Sequence, residues 1–143
     1  MNGSALKHWI LGAAAALGGV LGGWDGAMRV LIALMLADYG TGVAVAAIWQ
    51  RSSKSPGGAL DSKAGFRGLM KKGTILLLVW LGTLLDQAMG TGYVRTAVVV
   101  FFIGNEGISL LENIGLMGVP YPAFLRRALE ALREQGDAGE QRQ

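Results

Sequence analysis

The sequence predicts an all-α integral membrane protein with three or four transmembrane helices, a short basic interfacial helix and a C-terminal amphipathic helix. Of its 143 residues, 52% are hydrophobic and only 16% are charged, which is well below the charged fraction of a soluble domain. The hydrophobic residues are concentrated in four runs, at residues 9–23, 30–49, 74–92 and 96–119. Lipid is therefore the expected solvent, and we predict one membrane domain over residues 1–134 followed by a polar, disordered tail at 135–143.

The first run is the doubtful span. A spanning helix needs about 20 mainly apolar residues, and the other three runs reach that length. Residues 9–23 would form a helix of only about 22 Å, against a hydrocarbon core of roughly 30 Å. The run can cross if Lys7 and His8 extend to one interface and Trp9 and Trp24 mark the two ends. Three and four spans both stay open, and with them the side of the N-terminus.

The loop between the second and third runs predicts the orientation. It carries one acid, Asp61, and six basic residues: Arg51, Lys54, Lys63, Arg67, Lys71 and Lys72. The positive-inside rule places this 50–72 loop in the cytoplasm, so the turn at 90–92 lies outside and the C-terminus returns to the cytoplasm. Phe66 is the loop's only aromatic residue, so it offers no stacking platform for nucleic acid. Anionic lipid is the expected partner of the loop.

Two helices are predicted outside the apolar runs. Asp61 or Ser62 can cap a short helix that ends at Lys72. Basic residues at four-residue spacing give that helix a face suited to lipid headgroups: Lys63, Arg67 and Lys71. Residues 122–134 form the second, amphipathic helix, because leucine and alanine recur there at helical spacing. We expect it to dock on the bundle or on the membrane surface.

Acidic residues interrupt three of the apolar runs, each within a polar stripe. A carboxylate at the bilayer centre costs about 2.5–3.5 kcal/mol on insertion scales, so such groups need water or polar partners. Asp86 and Glu112 are also compatible with interfacial positions, whereas Asp38 and Glu106 lie deeper. Arg95 and Arg29 are candidate ion-pair partners. The predicted pore-lining or interhelical residues are Asp38, Thr41, Asp86, Gln87, Asn105, Glu106, Ser109, Glu112 and Asn113.

Small residues provide a second packing signal. In lipid, helices associate where small side chains let their backbones approach. In a chain with 23 glycines, a single Gly-xxx-Gly pair does not distinguish packing within one chain from oligomerisation. The candidate packing glycines are Gly18, Gly22, Gly40, Gly42, Gly104 and Gly107.

The composition excludes several kinds of chemistry. There is no cysteine and only one histidine, His8. Disulfides, thiolate nucleophiles and cysteine or multi-histidine metal sites are therefore excluded, and a Ser-His hydrolase is disfavoured. We predict no catalytic residue, no cofactor and no metal, and hence no enzymatic activity.

An ordered series of motifs resembles the phage-lysis and toxin-secretion holin family over about residues 30 to 134. The order and the spacing of these motifs make the resemblance fairly specific. The matching stretches are residues 38–42 (DYGTG), 62–68 (SKAGFRG), 84–86 (LLD), 95–97 (RTA), 105–109 (NEGIS) with Glu112-Asn113, and 118–122 (GVPYP).

The resemblance implies a function that composition alone does not. Such holins accumulate in the bacterial cytoplasmic membrane, then oligomerise abruptly into lesions that let an endolysin, or in some systems a toxin, reach the outside. The implied partners are the lipid bilayer, further copies of the chain and, without direct binding, that endolysin or toxin. Two alternatives stay open. One is a small proton- or ion-coupled transporter with Glu106 or Asp38 as carrier, although no inverted repeat is evident; the other is an antiholin-like membrane regulator.

Overall fold

The computed structural model describes residues 2–140, and these form helices joined by short turns and loops. The π-helical segment Val45–Trp49 prolongs the second helix, and short 3-10 turns occur at Pro56–Gly58 and Ala138–Glu140. The prediction of an all-α protein is confirmed. The five helices of the described range are α1 (Gly3–Val20), α2 (Gly26–Ala44), α3 (Ser62–Met89), α4 (Tyr93–Leu116) and α5 (Ala123–Asp137).

Three helical segments are long and apolar enough to cross a membrane: Gly26–Trp49, Ser62–Met89 and Tyr93–Leu116. They contain most of the second, third and fourth apolar runs. The first run lies in α1, which is not one of the three. Because α1 begins at Gly3, Lys7 and His8 lie inside the helix and shorten its apolar part.

α3 is one continuous helix of 28 residues. The predicted short basic helix and the third apolar run are therefore joined, because the single Gly73 between them weakens a helix by only about 1 kcal/mol. The Asp61 carboxylate caps the start by accepting from the main-chain N–H groups of Lys63 and Ala64. Gly90 ends the helix in the left-handed conformation, with φ of 67°, which glycine adopts without strain.

The core lies where α2, α3 and α4 meet, with α4 at the centre of the bundle and in contact with α2, α3 and α5. α2 runs roughly parallel to α4, and α3 runs antiparallel to both. One end of the bundle consists of the C-terminal ends of α2 and α4, the N-terminal end of α3 and the 50–61 loop. The buried apolar side chains of this core are Leu21, Met28, Leu31, Met35, Ile75, Val79, Val99 and Ile103.

α5 lies along α4 and runs antiparallel to it. Leu129 sits against Gly104 and Gly107, and Gly136 sits against Ala97 and Phe101 near the start of α4. This close contact requires glycine, because a Cβ on Gly104 or Gly136 would collide with the facing backbone. The end of α5 therefore lies level with the end of the bundle opposite the basic loop.

The predicted disordered tail is partly helical in the structure. α5 continues to Asp137 and a 3-10 turn follows at Ala138–Glu140. Gly136 and Gly139 fit closely against Ala97. Residues 141–143 lie outside the described residues.

Candidate functional site

A buried lysine joins the three membrane-length helices. Lys72 of α3 donates from Nζ to Oδ2 of Asp38 on α2 at 2.7 Å and to Oε2 of Glu106 on α4. The Lys72 side chain is only 13% exposed, and each of the two carboxylate side chains is 6% exposed. One cation thus bridges two carboxylates on different helices. Each charge compensates another that would be costly to bury alone.

Asn113 holds α4 to α2 a second time, two turns beyond Glu106. Its Nδ2 lies 3.0 Å from the Asp38 carbonyl oxygen, 3.1 Å from Asp38 Oδ1 and 3.0 Å from Thr41 Oγ1. A Cβ built on Gly42 would lie 3.6 Å from this amide nitrogen, an ordinary van der Waals distance. Asp38 therefore receives hydrogen bonds from both α3 and α4.

Lys54 brings the loop into the same cluster. Its Nζ donates to Ser109 Oγ at 3.2 Å and lies 3.8 Å from Asp38 Oδ1. The Lys54 side chain is 51% exposed, so this is the side on which the cluster reaches solvent. No buried side-chain nitrogen or oxygen in the described range lacks a hydrogen-bond partner. The polar groups within the bundle are thus satisfied inside a single chain. We call Asp38, Thr41, Lys54, Lys72, Glu106, Ser109 and Asn113 the interhelical cluster.

Asp86 has a different role at the opposite end of the bundle. Its carboxylate accepts from the main-chain N–H groups of Val94 at 3.0 Å and Arg95 at 2.9 Å, and from Thr91 Oγ1 at 2.7 Å. The first N–H groups of a helix have no partner inside it, and they favour negative charge. The last turn of α3 therefore caps the start of α4 through this buried carboxylate.

Arg95 ties the link between α1 and α2 to the same end of α4. Its guanidinium donates to Asp25 Oδ2 at 2.7 Å and to the carbonyl oxygens of Gly23, at 3.0 Å, and Leu21. Asp25 also caps α2 by accepting from the Met28 N–H at 2.8 Å. The hydrogen bond from Arg95, then that from Met28, lowers the pKa of the Asp25 carboxyl below its ordinary value.

The predicted polar residues thus separate into groups with different surroundings. Gln87 and Glu112 are exposed, and the Glu112 carboxylate lies 3.9 Å from the Arg126 guanidinium. Asn105 lines a cavity beside the interhelical cluster. The remaining six predicted residues are buried or partly buried: Asp86 caps α4, and five belong to the interhelical cluster, namely Asp38, Thr41, Glu106, Ser109 and Asn113.

Lys72 is the residue whose role sequence reasoning missed. Its place in the sequence predicts a surface position in the basic loop, but its Nζ lies between two buried carboxylates. A signal was available, because Lys72 shares a helical face with Ile75, Val79 and Asp86 once α3 is taken as one helix. The other five basic residues of the loop are exposed: Arg51, Lys54, Lys63, Arg67 and Lys71.

The candidate packing glycines mostly contact other parts of the same chain. The Trp24 ring covers Gly18, the Arg95 side chain covers Gly22, and α5 covers Gly104 and Gly107. Gly40 is the exception, since nothing would lie within 4 Å of a Cβ built there.

Three membrane-length helices held together by satisfied polar contacts define a small multi-pass helical membrane protein. The chain belongs to the bacteriophage holin family, whose family model matches residues 15–134. This result confirms the family that the motifs suggested.

Individual relatives agree with this membership. A probable holin of Bacillus phage phi105 is 30% identical over 111 residues, covering 77% of this chain and 76% of the relative. An uncharacterized protein of Clostridium perfringens is 38% identical over 120 residues, covering 82% and 83% of the two chains. An uncharacterized protein of Listeria monocytogenes is 37% identical over 125 residues, covering 87% and 84%. No solved structure matches the chain significantly.

Proposed function

We propose that the protein is a non-enzymatic holin that oligomerises in the bacterial cytoplasmic membrane and opens lesions for an endolysin or a toxin. The observation that carries the proposal is the family match over residues 15–134, in a chain with three membrane-length helices. The identity to a probable phage holin supports the same function.

Within this function, the interhelical cluster stabilises each subunit rather than lining the lesion. The carboxylates of Asp38 and Glu106 already share the Lys72 ammonium. Asn113 of α4 also donates a hydrogen bond to the Asp38 carboxylate. Removing one partner from such a buried pair typically costs about 3–5 kcal/mol, because it leaves an uncompensated charge. The cluster therefore favours a compact three-helix subunit that can accumulate in the membrane before any lesion forms.

The charged face of α5 is the surface that we assign to water in the oligomer. α5 lies alongside α4, a membrane-length helix, and its face away from α4 exposes Arg127 and Glu134. Charged side chains at membrane depth are unfavourable against lipid, by about 2.5–3.5 kcal/mol each near the centre. Subunits that turn these faces toward one another enclose water and remove that penalty.

A co-expression experiment tests the function. The chain is induced in a bacterial host with and without a cytoplasmic endolysin, while a potential-sensitive dye and the optical density are followed. We expect depolarisation and growth arrest after a delay, with lysis only when the endolysin is present. Cells that keep both their potential and their growth would contradict the holin proposal.

Two further measurements separate the alternatives. A regulator would be inert alone but would shift the lysis time of a co-expressed pore-forming holin. A transporter would give a pH-dependent substrate flux without lysis. That flux would require Asp38 or Glu106 to leave Lys72 during each cycle, so Asp38→Asn and Glu106→Gln would abolish it.

A further inference from the structure

A cavity of about 490 Å³ opens beside the interhelical cluster, at the end of the bundle that carries the basic loop. It is enclosed by the 52–55 part of the loop, the C-terminal halves of α2 and α4 and the N-terminal third of α3. Asp38, Lys72 and Glu106 form its inner end. Its size is within the range of sites that hold small molecules, about 300–1,000 Å³.

The unbalanced charge of this cavity is positive. Four basic residues line it, Lys54, Arg67, Lys71 and Lys72, against the three acids Asp38, Asp61 and Glu106. Lys72 pairs with Asp38 and Glu106, and Lys54 also lies 3.8 Å from Asp38. Arg67 and Lys71, one turn apart on α3, also line the cavity, and neither forms an ion pair within the described residues. A guanidinium and an ammonium one helical turn apart, in a cavity that Ser52, Ser53 and Ser55 also line, are suited to a phosphate group.

The cavity also has an apolar wall that opens outward. Tyr39, Val43 and Leu60 line it, and Val43 and Leu60 are 37% and 63% exposed. An anionic group and a hydrocarbon chain could therefore be held at the same time. The cavity also lies at the depth expected for lipid headgroups. Trp49 and Phe66, beside the ends of α2 and α3 that border it, are exposed aromatic residues of the kind found at headgroup level.

We propose that this cavity is a specific site for the phosphate headgroup of an anionic phospholipid, bound by Arg67 and Lys71 with its hydrocarbon chain against Val43 and Leu60. The site is distinct from a general attraction of the basic loop to an anionic surface, because the exposed cations Arg51 and Lys63 of the same loop do not line the cavity. A lipid bound there lies next to the inner end of the cavity, where Lys72 holds α2, α3 and α4 together. This inference does not depend on lesion formation.

Native mass spectrometry of the purified full chain in neutral detergent tests the site. The probes are phosphatidylglycerol, phosphatidylcholine and inorganic phosphate. We compare the wild type with Arg67→Gln/Lys71→Gln and with the matched control Arg51→Gln/Lys63→Gln, which removes the same charge from exposed positions that do not line the cavity. All four positions are exposed, and circular dichroism verifies that the variants remain helical.

We expect one phosphatidylglycerol to bind the wild type in preference to phosphatidylcholine. The cavity variant should bind it roughly tenfold or more weakly, while the control should change less than about threefold. Equal losses in the two variants would overturn the site in favour of diffuse attraction. Full displacement of the lipid by millimolar inorganic phosphate would overturn the lipid assignment in favour of a free-phosphate site.

Discussion

Lys72 Nζ lies 2.7 Å from Asp38 Oδ2, although the two residues are 34 positions apart and on different helices. The same ammonium also donates to Glu106, so this one contact point includes all three membrane-length helices. A single basic residue thus contacts α2, α3 and α4 at one point.

Replacing Lys72 with methionine should strongly destabilise the bundle. The variant keeps a similar side-chain length but leaves two buried carboxylates without their cation, so we expect a loss of about 3–5 kcal/mol. The measurement is thermal unfolding in detergent. Lys71→Met is the matched control, because Lys71 is the exposed neighbour and surface substitutions usually change stability by less than about 0.5 kcal/mol. Equal unfolding temperatures for the two variants would refute the role of Lys72.

Adding one methyl group at Gly104 should displace α5. A Cβ there collides with the main-chain oxygen of Leu129 and the main-chain nitrogen of Arg133, and neither can move without shifting the helix. Gly40→Ala is the control, since that position faces open space and alanine favours a helix by about 1 kcal/mol. We expect limited proteolysis to cleave within α5 faster in Gly104→Ala only. Unchanged protection of α5 would show that it does not rest on this glycine.

The Asp25–Arg95 pair should make stability depend on pH at the acidic end. Because the pKa of Asp25 is lowered from 3.8 in the folded protein, the pair contributes its full stability above about pH 3.8 and loses it as the pH falls through the folded pKa. The difference in melting temperature between wild type and Asp25→Asn should therefore shrink below about pH 3.8. Asparagine is a suitable control substitution because it preserves helix capping. A difference that stays constant down to pH 2 would contradict the pair's contribution.

Cysteine labelling can locate the charged face of α5 directly, because the natural chain contains no cysteine. Arg127→Cys and Glu134→Cys should react with a membrane-impermeant maleimide in cells that have undergone depolarisation. Leu77→Cys, on the exposed apolar face of α3, should stay unlabelled. If Glu134→Cys is as unreactive as Leu77→Cys, α5 does not face water in the lesion.

Much of the architecture follows from the sequence, because the hydrophobicity of each segment indicates whether lipid or water surrounds it. Runs of about 20 apolar residues predict the three membrane-length helices, and leucine spacing predicts α5. The deep positions of Asp38 and Glu106 in their runs likewise predicted that these groups need polar partners. All of these properties depend on residues that are close together in the chain.

The identity of those partners is set by tertiary structure. Lys72 meets Asp38 because of the rotation and register of two packed helices, and hydropathy carries no information about either. Asp86 similarly finds its donors only where α4 begins beside the end of α3. The sequence by itself determined that the protein is a helical membrane protein with buried carboxylates. Only the tertiary structure decided that these carboxylates face a shared lysine and a helix end, and that α5 lies along α4, because such contacts depend on how the helices pack together.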